Sequence, residues 1–271
     1  MKKILAALDN SIAATPVLAT ARMLAELLDA EVDAVHVRVN GARVVDAATA
    51  SAGIRLRLLD GKIVDAVVAE ANDPGVVATV VGARASPASS RPLGSTALAV
   101  AQTLLKPLVA VPPDLGPPAG LRRILVPIEG GVSTAPLPHA IVQIARSAGE
   151  HAIDVVVLHV LEAQSLPCFT DQPQHEQPAW AREFVRRYSP WGIGKVSLET
   201  RVGRAEELVA QVARDMNVDL VALGWAQELA EGRAAVVRAA LARGGVPIML
   251  VPVQVIKEEE SPWSGSQLSP A

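Results

Sequence analysis

Aromatic residues are scarce in this chain of 271 residues, since phenylalanine, tryptophan and tyrosine together make up 3% of it. Proteins that bind single-stranded nucleic acid stack successive bases on aromatic side chains, so a surface of that kind is excluded. Positive charge is not in excess either, because 25 lysines and arginines stand against 28 aspartates and glutamates. Without a basic stripe to neutralise a phosphate backbone, we expect no nucleic acid partner.

Cysteine occurs once, as Cys168, so the chain cannot form an intrachain disulfide. This usage is typical of a reducing compartment, and we expect a cytoplasmic location. Neither Cys168 nor the five histidines show metal-ligand spacing, so no metal site of protein side chains is expected.

Long apolar runs are also missing. The apolar segment at the N-terminus is interrupted by Asp9 and Asn10, so it predicts neither a signal peptide nor a membrane span. The sequence contains no G-x-S-x-G motif and no complete Walker loop, and no other catalytic set is visible. We therefore expect no efficient enzyme.

Mainly apolar runs of strand length without polar alternation occur four times in the first part of the chain, and a helical repeat of apolar residues covers 12–28. Strands that are buried on both faces read as continuous apolar runs. The pattern therefore predicts an α/β fold with a parallel sheet between two layers of helices. The four runs are 4–8, 32–37, 76–81 and 108–111.

The same pattern recurs in the second part of the chain. "RRILVPIEGG" at 122–131 corresponds to "KKILAALDNS" at 2–11, and "GVPIMLVPV" at 245–253 corresponds to "LKPLVAVPP" at 105–113. These correspondences predict a tandem duplication. The last strand of each copy is an apolar edge, and we expect the two edges to pair within one chain.

The expected domains are 1–113 and 121–254, joined by a proline- and glycine-rich linker at 114–120. The first domain is shorter between its second and third strands, where it should lack most of one crossover helix. In the second domain, Trp180, Phe184 and Tyr188 lie on one helical face there and are expected in the core. Residues 255–271 are charged or small and predict a flexible tail.

One crevice in the first repeat has residues suited to a nucleotide. With strand order 3-2-1-4-5, strands one and four are neighbours where the winding direction reverses, and ligands bind at such a point. Asp9 and Gly82 end these two strands. A carboxylate accepts hydrogen bonds from a ribose, and the turn Gly94, Ser95, Thr96 offers N–H groups to phosphates at a helix start. Alternatively, these residues only cap helices and permit a turn.

The segments "ILAALDNS" at 4–11, "VHV" at 35–37 and "VVGARA" to "LVAVP" over 80–112 resemble the universal stress protein family. The phosphate loop of that family reads G-x2-G-x9-G-[ST]. The resemblance covers both repeats, 2–112 and 121–253. It implies two Rossmann-like, doubly wound, five-stranded parallel sheets of the adenine nucleotide alpha hydrolase-like type, with order 3-2-1-4-5. It also implies pairing of the two as an intramolecular pseudo-dimer.

The resemblance further implies that ATP or another adenine nucleotide binds in some members and not in others, with Mg²⁺ accompanying ATP. Carried over by position, Ala7 and Asp9 would lie at the base and ribose, and the backbone of Val37 would bond adenine. The phosphate loop would be formed by Gly82, Ala85, Gly94, Ser95 and Thr96.

Two departures weaken this loop. Ala85 stands where the second glycine belongs, and eight residues instead of nine separate it from Gly94. Arg91 lies within the loop and is a candidate for contact with a terminal phosphate.

The second repeat departs further from the motif. Gly224 is in place, but Gln227 replaces the second glycine, and Arg233 replaces the serine or threonine. Only four residues separate Gln227 from Gly232. Glu129 stands in place of the aspartate. We expect no nucleotide there in the family's manner.

Three further residues are expected to be structural. His36 and His159 occupy corresponding places in apolar strands, where a histidine is usually hydrogen-bonded within the core. Trp225 follows a buried strand and is expected to pack between the two halves.

The predicted function is that of a cytoplasmic, nucleotide-binding stress-response protein with at most slow hydrolysis. A second hypothesis is a nucleotide-free interaction module that acts through its edge strands and crevice surfaces. A third, adenylyl transfer, needs a substrate site and a pyrophosphate loop that the sequence does not contain. Further association into a homodimer stays open at this point.

Overall fold

The computed structural model describes residues 1–38, 53–87, 91–116, 118, 120–128, 153–161, 195–229, 234–243 and 245–253. Several predictions concern residues outside these ranges. They are the shortened connection between strands two and three, the aromatic helix at 180–188, the tail at 255–271, and Glu129, Gly232 and Arg233. The domain limits remain predictions.

The described strands and helices lie where the apolar pattern predicts strands and helices. In the first repeat they are β1 (Lys2–Ala7), α1 (Ala14–Leu28), β2 (Ala30–Val37), β3 (Leu56–Leu59), α2 (Ile63–Ala71), β4 (Val76–Gly82), α3 (Ser95–Thr103) and β5 (Leu108–Val111). In the second they are β6 (Arg123–Pro127), β7 (Asp154–Leu161), β8 (Lys195–Val202), α4 (Ala205–Asp215), β9 (Leu220–Trp225), α5 (Ala234–Arg243) and β10 (Ile248–Pro252). Residues outside the described ranges separate β2 from β3, and β6, β7 and β8 from one another.

All ten described strands form one sheet with the order β3-β2-β1-β4-β5-β10-β9-β6-β7-β8. Numbered within its own repeat, each half has the order 3-2-1-4-5, and its strand pairs are all parallel. The predicted doubly wound α/β fold of both halves is confirmed.

The two halves join through their last strands. β5 and β10 pair in antiparallel fashion, with Val109 opposite Met249 and Leu108 opposite Leu250. All four side chains are buried. Each apolar edge is thereby covered by the other, as a soluble sheet requires. The expected intramolecular pairing of the repeats is confirmed.

Side chains alternate between two apolar layers, one on each face of the sheet. In β1, Ile4 and Ala6 contribute to the layer that contains α1, and Leu5 contributes to the opposite layer. This is the period of two that a strand imposes. The opposite layer receives α2, α3, α4 and α5.

Helix α1 illustrates why these segments are helical. Val17, Ala21, Leu24 and Leu28 are all buried and recur every three or four residues, so one stripe of the helix faces the sheet. The helix ends at Asp29, whose φ of 50° is left-handed. No helix within the described ranges combines the length and the apolar character needed to cross a membrane.

Candidate functional site

The predicted crevice residues meet at the carboxyl edge of the first repeat. β1 lies between β2 and β4, and Ala7 is paired with Val35 on one side and Val81 on the other. Asp9 follows two residues after Ala7, and Gly82 follows Val81. The sheet therefore brings the ends of strands one, two and four together at one edge, as a ligand site at a topological switch point requires.

Gly82 is needed for the packing of α1 against β4, independently of any ligand. A Cβ on this residue would lie 2.9 Å from the Cβ of Ala13 and 4.0 Å from Cγ2 of Val17. The beginning of α1 therefore lies directly against the end of β4. The glycine that the motif assigns to the phosphate loop also allows this close approach.

Asp9 organises the turn that leads into α1. Its Oδ1 accepts hydrogen bonds from the Ser11 backbone N–H at 3.0 Å and from the Ser11 hydroxyl at 2.5 Å. The Ser11 Oγ in turn accepts a bond from the backbone N–H of Ala13 at 3.1 Å. Asp9 itself is exposed at the mouth of the crevice. Its carboxylate therefore has a structural use through Oδ1, and Oδ2 stands outside these bonds.

The end of β1 is held by a buried histidine. His36 Nδ1 donates to the carbonyl oxygen of Leu8 at 2.9 Å. In the second repeat His159 Nδ1 makes the corresponding bond to Ile128 at 3.3 Å. The expectation of a hydrogen-bonded histidine within the core is confirmed for His36, whereas His159 makes its bond but is only partly buried. The bond from His36 fixes the backbone just before Asp9.

Val37 lies beyond the paired part of β1. The carbonyl of Val35 accepts a bond from Leu8 N–H at 2.9 Å, so it points toward β1. Backbone groups in a strand repeat their direction every two residues. The carbonyl of Val37 therefore points to the same side, past the last paired residue of β1, where the resemblance places adenine.

The loop after β4 closes onto the start of α3. Ala83 N–H donates to Val111 at 2.8 Å, and the carbonyl of Ala83 accepts from Gly94 N–H at 2.8 Å. Gly94 has φ −63° and ψ 153°, an extended conformation open to any residue. A Cβ there would meet Ala83 O at 3.7 Å, an ordinary contact. Neither backbone nor packing requires glycine at this position.

Helix α3 begins without a side-chain cap. Gly94 is its N-cap and provides no side chain to bond the first N–H groups, and the first turn contains no acidic residue. Ser95 and Thr96 are exposed there. N–H groups that receive no bond from the N-cap residue, together with the positive end of the helix dipole, favour an anion. The sequence alternative in which Ser95 caps the helix is wrong, because Ser95 is its first helical residue.

Ala85 is exposed, and its backbone is not left-handed, because Asp29, Asn217 and Gln227 are the only described residues other than glycine with positive φ. A methyl group at Ala85 therefore causes no backbone strain. The missing second glycine therefore causes no backbone strain in this loop.

Arg84 is the residue that sequence reasoning missed. It lies inside the loop, between Gly82 and Ala85, and its Nε is buried with no hydrogen-bond partner among the described residues. Buried donors are nearly always paired, so this one marks a place where an acceptor is missing. Its position between the two glycine positions of the motif was the available signal. Arg91, which the sequence suggested instead, is exposed and already has an interaction partner.

An ion pair lies at the same edge, beyond β2 and β3. Arg38 Nε donates to Asp60 Oδ1 at 2.9 Å, and its Nη2 donates to Oδ2 at 2.7 Å. These hydrogen bonds hold the pKa of the Asp60 carboxyl below its ordinary value. Within the described ranges, no three His, Cys, Asp or Glu side chains are grouped so as to hold a metal.

The corresponding edge of the second repeat is used differently. Trp225 is fully buried, and its Nε1 donates to the carbonyl of Ala101 in α3 at 3.2 Å. Gln227 Nε2 donates to the carbonyls of Gln102 at 3.1 Å and Leu104 at 2.8 Å. The predicted packing of Trp225 between the two halves is confirmed.

Comparison with known proteins agrees with this fold. Residues 120–252 match the model of the universal stress protein family. No curated protein sequence matches the chain. A protein of unknown function from Pseudomonas aeruginosa PAO1 has a similar structure, with a TM-score of 0.66, 13% identity and 93% of each chain covered. A universal stress protein from Archaeoglobus fulgidus DSM 4304 is similar with a TM-score of 0.57 and 15% identity, over 94% of this chain and 97% of its own.

Proposed function

Because residues 120–252 belong to the universal stress protein family, we propose that this chain is a stress-response protein whose first repeat binds an adenine nucleotide, ATP. The nucleotide lies at the carboxyl edge of β1, β2 and β4. Binding, rather than turnover, is the function, with slow hydrolysis at most.

The observation that carries this proposal is the buried Nε–H of Arg84, which has no partner among the described residues, in the loop that leads to α3, whose N-cap residue provides no side-chain cap. Ala83, the residue before Arg84, bonds Gly94, so the two features are adjacent. One buried cationic donor and a helix N-terminus whose N-cap residue has no side chain, both in the same loop, fit the phosphates of a nucleotide. Both features precede ligand binding, so little reorganisation is needed.

The other predicted residues fit the remaining parts of the ligand. Asp9 Oδ2 is the acceptor for a ribose hydroxyl, since Oδ1 bonds Ser11. The carbonyl of Val37 is the acceptor for the adenine amino group, and Ala7 packs near the base. Mg²⁺ would be held through the phosphates of the nucleotide.

The second repeat supports the first and does not bind nucleotide in this proposal. Gln227, at the position of the second glycine, bonds carbonyls of the first repeat and is not available to phosphate. We place the protein in the cytoplasm on the ground of its cysteine usage. The domain limits 1–113 and 121–254 with the linker 114–120 and tail 255–271 belong to the same proposal.

The test begins with the purified full chain. It is denatured, and the supernatant is analysed for adenine nucleotide by absorbance and chromatography. Nucleotide-free protein is then titrated with ATP, tripolyphosphate and adenosine in a calorimeter. We expect saturable binding of ATP and weaker binding of tripolyphosphate. No binding of ATP at about millimolar concentration contradicts the proposal.

A nucleotide-free interaction module is the second candidate. The bonds between Asp9 Oδ1 and Ser11 favour it, because they give Asp9 a structural use that needs no nucleotide. For that candidate, none of the three ligands binds and no nucleotide is released on denaturation.

A further inference from the structure

The second repeat holds the helix of the first repeat's anion site by its far end. Trp225 and Gln227 donate three hydrogen bonds to carbonyls at the C-terminal end of α3. The acceptors are Ala101, Gln102 and Leu104. The other end of the same helix begins at Ser95, where the proposed phosphate contact lies.

These bonds satisfy carbonyls that the helix leaves open. The last four carbonyls of a helix have no intrahelical partner, and α3 contains no basic residue in its last turn. Donors from the second repeat therefore take the place of a C-terminal cap. Trp225 is itself fixed, because it is fully buried and its carbonyl accepts from Val253 N–H at 2.9 Å.

Gln227 makes its bonds at a conformational cost. Its φ of 61° is left-handed, which is unfavourable for any residue except glycine and, to a lesser extent, asparagine or aspartate. A left-handed residue with a long side chain persists when the surrounding structure holds it in place. Here the two bonds from Nε2 to α3 do so.

The residues of the first repeat that correspond to Trp225 and Gln227 cannot make the same hydrogen bonds to the second repeat. In the first repeat the positions that correspond to Trp225 and Gln227 are Ala83 and Ala85, and alanine side chains have no donor. The corresponding helix, α5, ends at Arg243, whose carbonyl accepts from Arg214 Nη1 of its own repeat at 3.3 Å. The second repeat thus caps the first, and the first does not return the contact through these positions.

We propose that Trp225 and Gln227 are positioning residues for the anion site and that the second repeat thereby sets the affinity of the first. This inference rests on the proposed nucleotide site. Helix α3 has nine residues and is about 13 Å long, so movement at one end is transmitted to the other. Loss of the capping bonds increases the population of conformations in which the N–H groups of Ser95 and Thr96 no longer converge on the ligand.

The decisive variant is Gln227→Gly. Glycine accepts the left-handed φ without strain, so the backbone keeps its path while both bonds to α3 are lost. Gln227→Lys restores a donor and adds positive charge at the helix C-terminus. Ala226→Gly is the matched control, because it introduces glycine at the neighbouring exposed residue without removing a bond.

Two measurements are made on the full chain. Calorimetry gives the affinity for tripolyphosphate, and hydrogen exchange is followed at two amides of α3. Leu104 N–H lies beside the lost bonds, and Leu98 N–H, which donates to Gly94 at 2.9 Å, reports on the start of the helix. For Gln227→Gly we expect about fivefold weaker tripolyphosphate binding and faster exchange at both amides. Gln227→Lys should restore both, and Ala226→Gly should change neither.

Faster exchange at Leu104 alone, with unchanged affinity, shows a local structural bond and overturns the inference. If the wild-type protein binds neither ATP nor tripolyphosphate, the proposed function fails. Hydrogen exchange at the Leu98 amide then tests by itself whether Gln227 positions the start of α3. Unchanged exchange at Leu98 in Gln227→Gly overturns that role too.

Discussion

Gly82 at the end of β4 and Ala13 at the start of α1 are so close that a Cβ on the glycine would lie 2.9 Å from that of Ala13. At the equivalent position of the second repeat, the nearest described atom to a Cβ on Gly224 would be Cγ1 of Val253, a side-chain atom that follows β10, at 3.4 Å. The two glycines occupy equivalent positions of the duplicated sheet, and among the described residues only Gly82 has a neighbour closer than 3.0 Å to its added Cβ.

We therefore expect Gly82→Ala to destabilise the protein by about 1–3 kcal/mol, since the overpacked strand and helix must separate. Gly224→Ala is the matched control, and its effect should be smaller. Urea denaturation measures both. Addition of Ala13→Gly should recover most of the loss in Gly82→Ala. Equal destabilisation by the two single variants would show that the close approach of α1 is not the cause.

Gly94→Asp should change stability and binding in opposite directions. The backbone at Gly94 already has N-cap geometry, so a carboxylate there can bond the first N–H groups of α3 and stabilise the protein by about 1 kcal/mol. The same carboxylate occupies the anion position and repels phosphate. We expect affinity for ATP to fall about tenfold or more.

Thermal denaturation and calorimetry check the two effects, with Gly94→Ala as the control that adds a Cβ without a charge. A variant that gains stability and still binds ATP as the wild type does contradicts the phosphate site at α3.

Asp9→Asn should separate the two uses of Asp9. The amide oxygen can still accept the bonds from Ser11, so the free energy of unfolding should change little. A ribose hydroxyl loses a charged acceptor, so ATP should bind less tightly by about threefold to tenfold. Tripolyphosphate has no ribose and should bind as before. Equal weakening of both ligands would place Asp9 near the phosphates or assign the effect to the turn.

Arg84→Met removes a buried donor that has no described partner. An unsatisfied buried donor destabilises the folded state, so the variant should be as stable as the wild type or more so. Affinity for tripolyphosphate should fall about tenfold, because a charge-assisted hydrogen bond is lost. Calorimetry at two salt concentrations checks this. A stability loss with unchanged affinity would mean that Arg84 supports the fold only.

The Asp60 carboxyl should titrate below its ordinary pKa because of its hydrogen bonds from Arg38. A carboxyl whose pKa is lower in the folded than in the unfolded state stabilises the fold above its ordinary pKa. That contribution is lost as the pH falls through the lowered value. An NMR titration of the Asp60 carboxyl carbon measures the shift. Arg38→Gln should return the pKa toward its ordinary value.

The buried parallel strands and the duplication could be predicted from the sequence, because both follow from patterns that extend over many residues, whereas the strand order came from the resemblance to the universal stress protein family. Apolar runs without alternation mark buried parallel strands, and their recurrence marks the duplication. The buried position of His36 followed from the same pattern, since a histidine within such a run must find a backbone partner.

The details of the site could not be predicted in the same way. The bonds of Asp9 to Ser11 depend on the geometry of a single turn, and Arg84 occupies a position at which the motif allows any residue. The partner of Gln227 is more distant still, since Leu104 lies 123 residues away in the chain. A left-handed glutamine has no sequence signal, because its strain is repaid only by a contact formed in the folded protein.

The antiparallel junction of β5 and β10 has a consequence for how this protein can evolve and assemble. A single unit with an exposed apolar edge strand could pair with any other unit that has the same edge. Here the edge strand of each repeat is covered by that of the other repeat in the same chain. The two unlike repeats therefore always occur in equal number and always in the same pair. Either repeat can therefore lose a ligand site and still have its edge strand covered, because the other repeat is always present in the same chain.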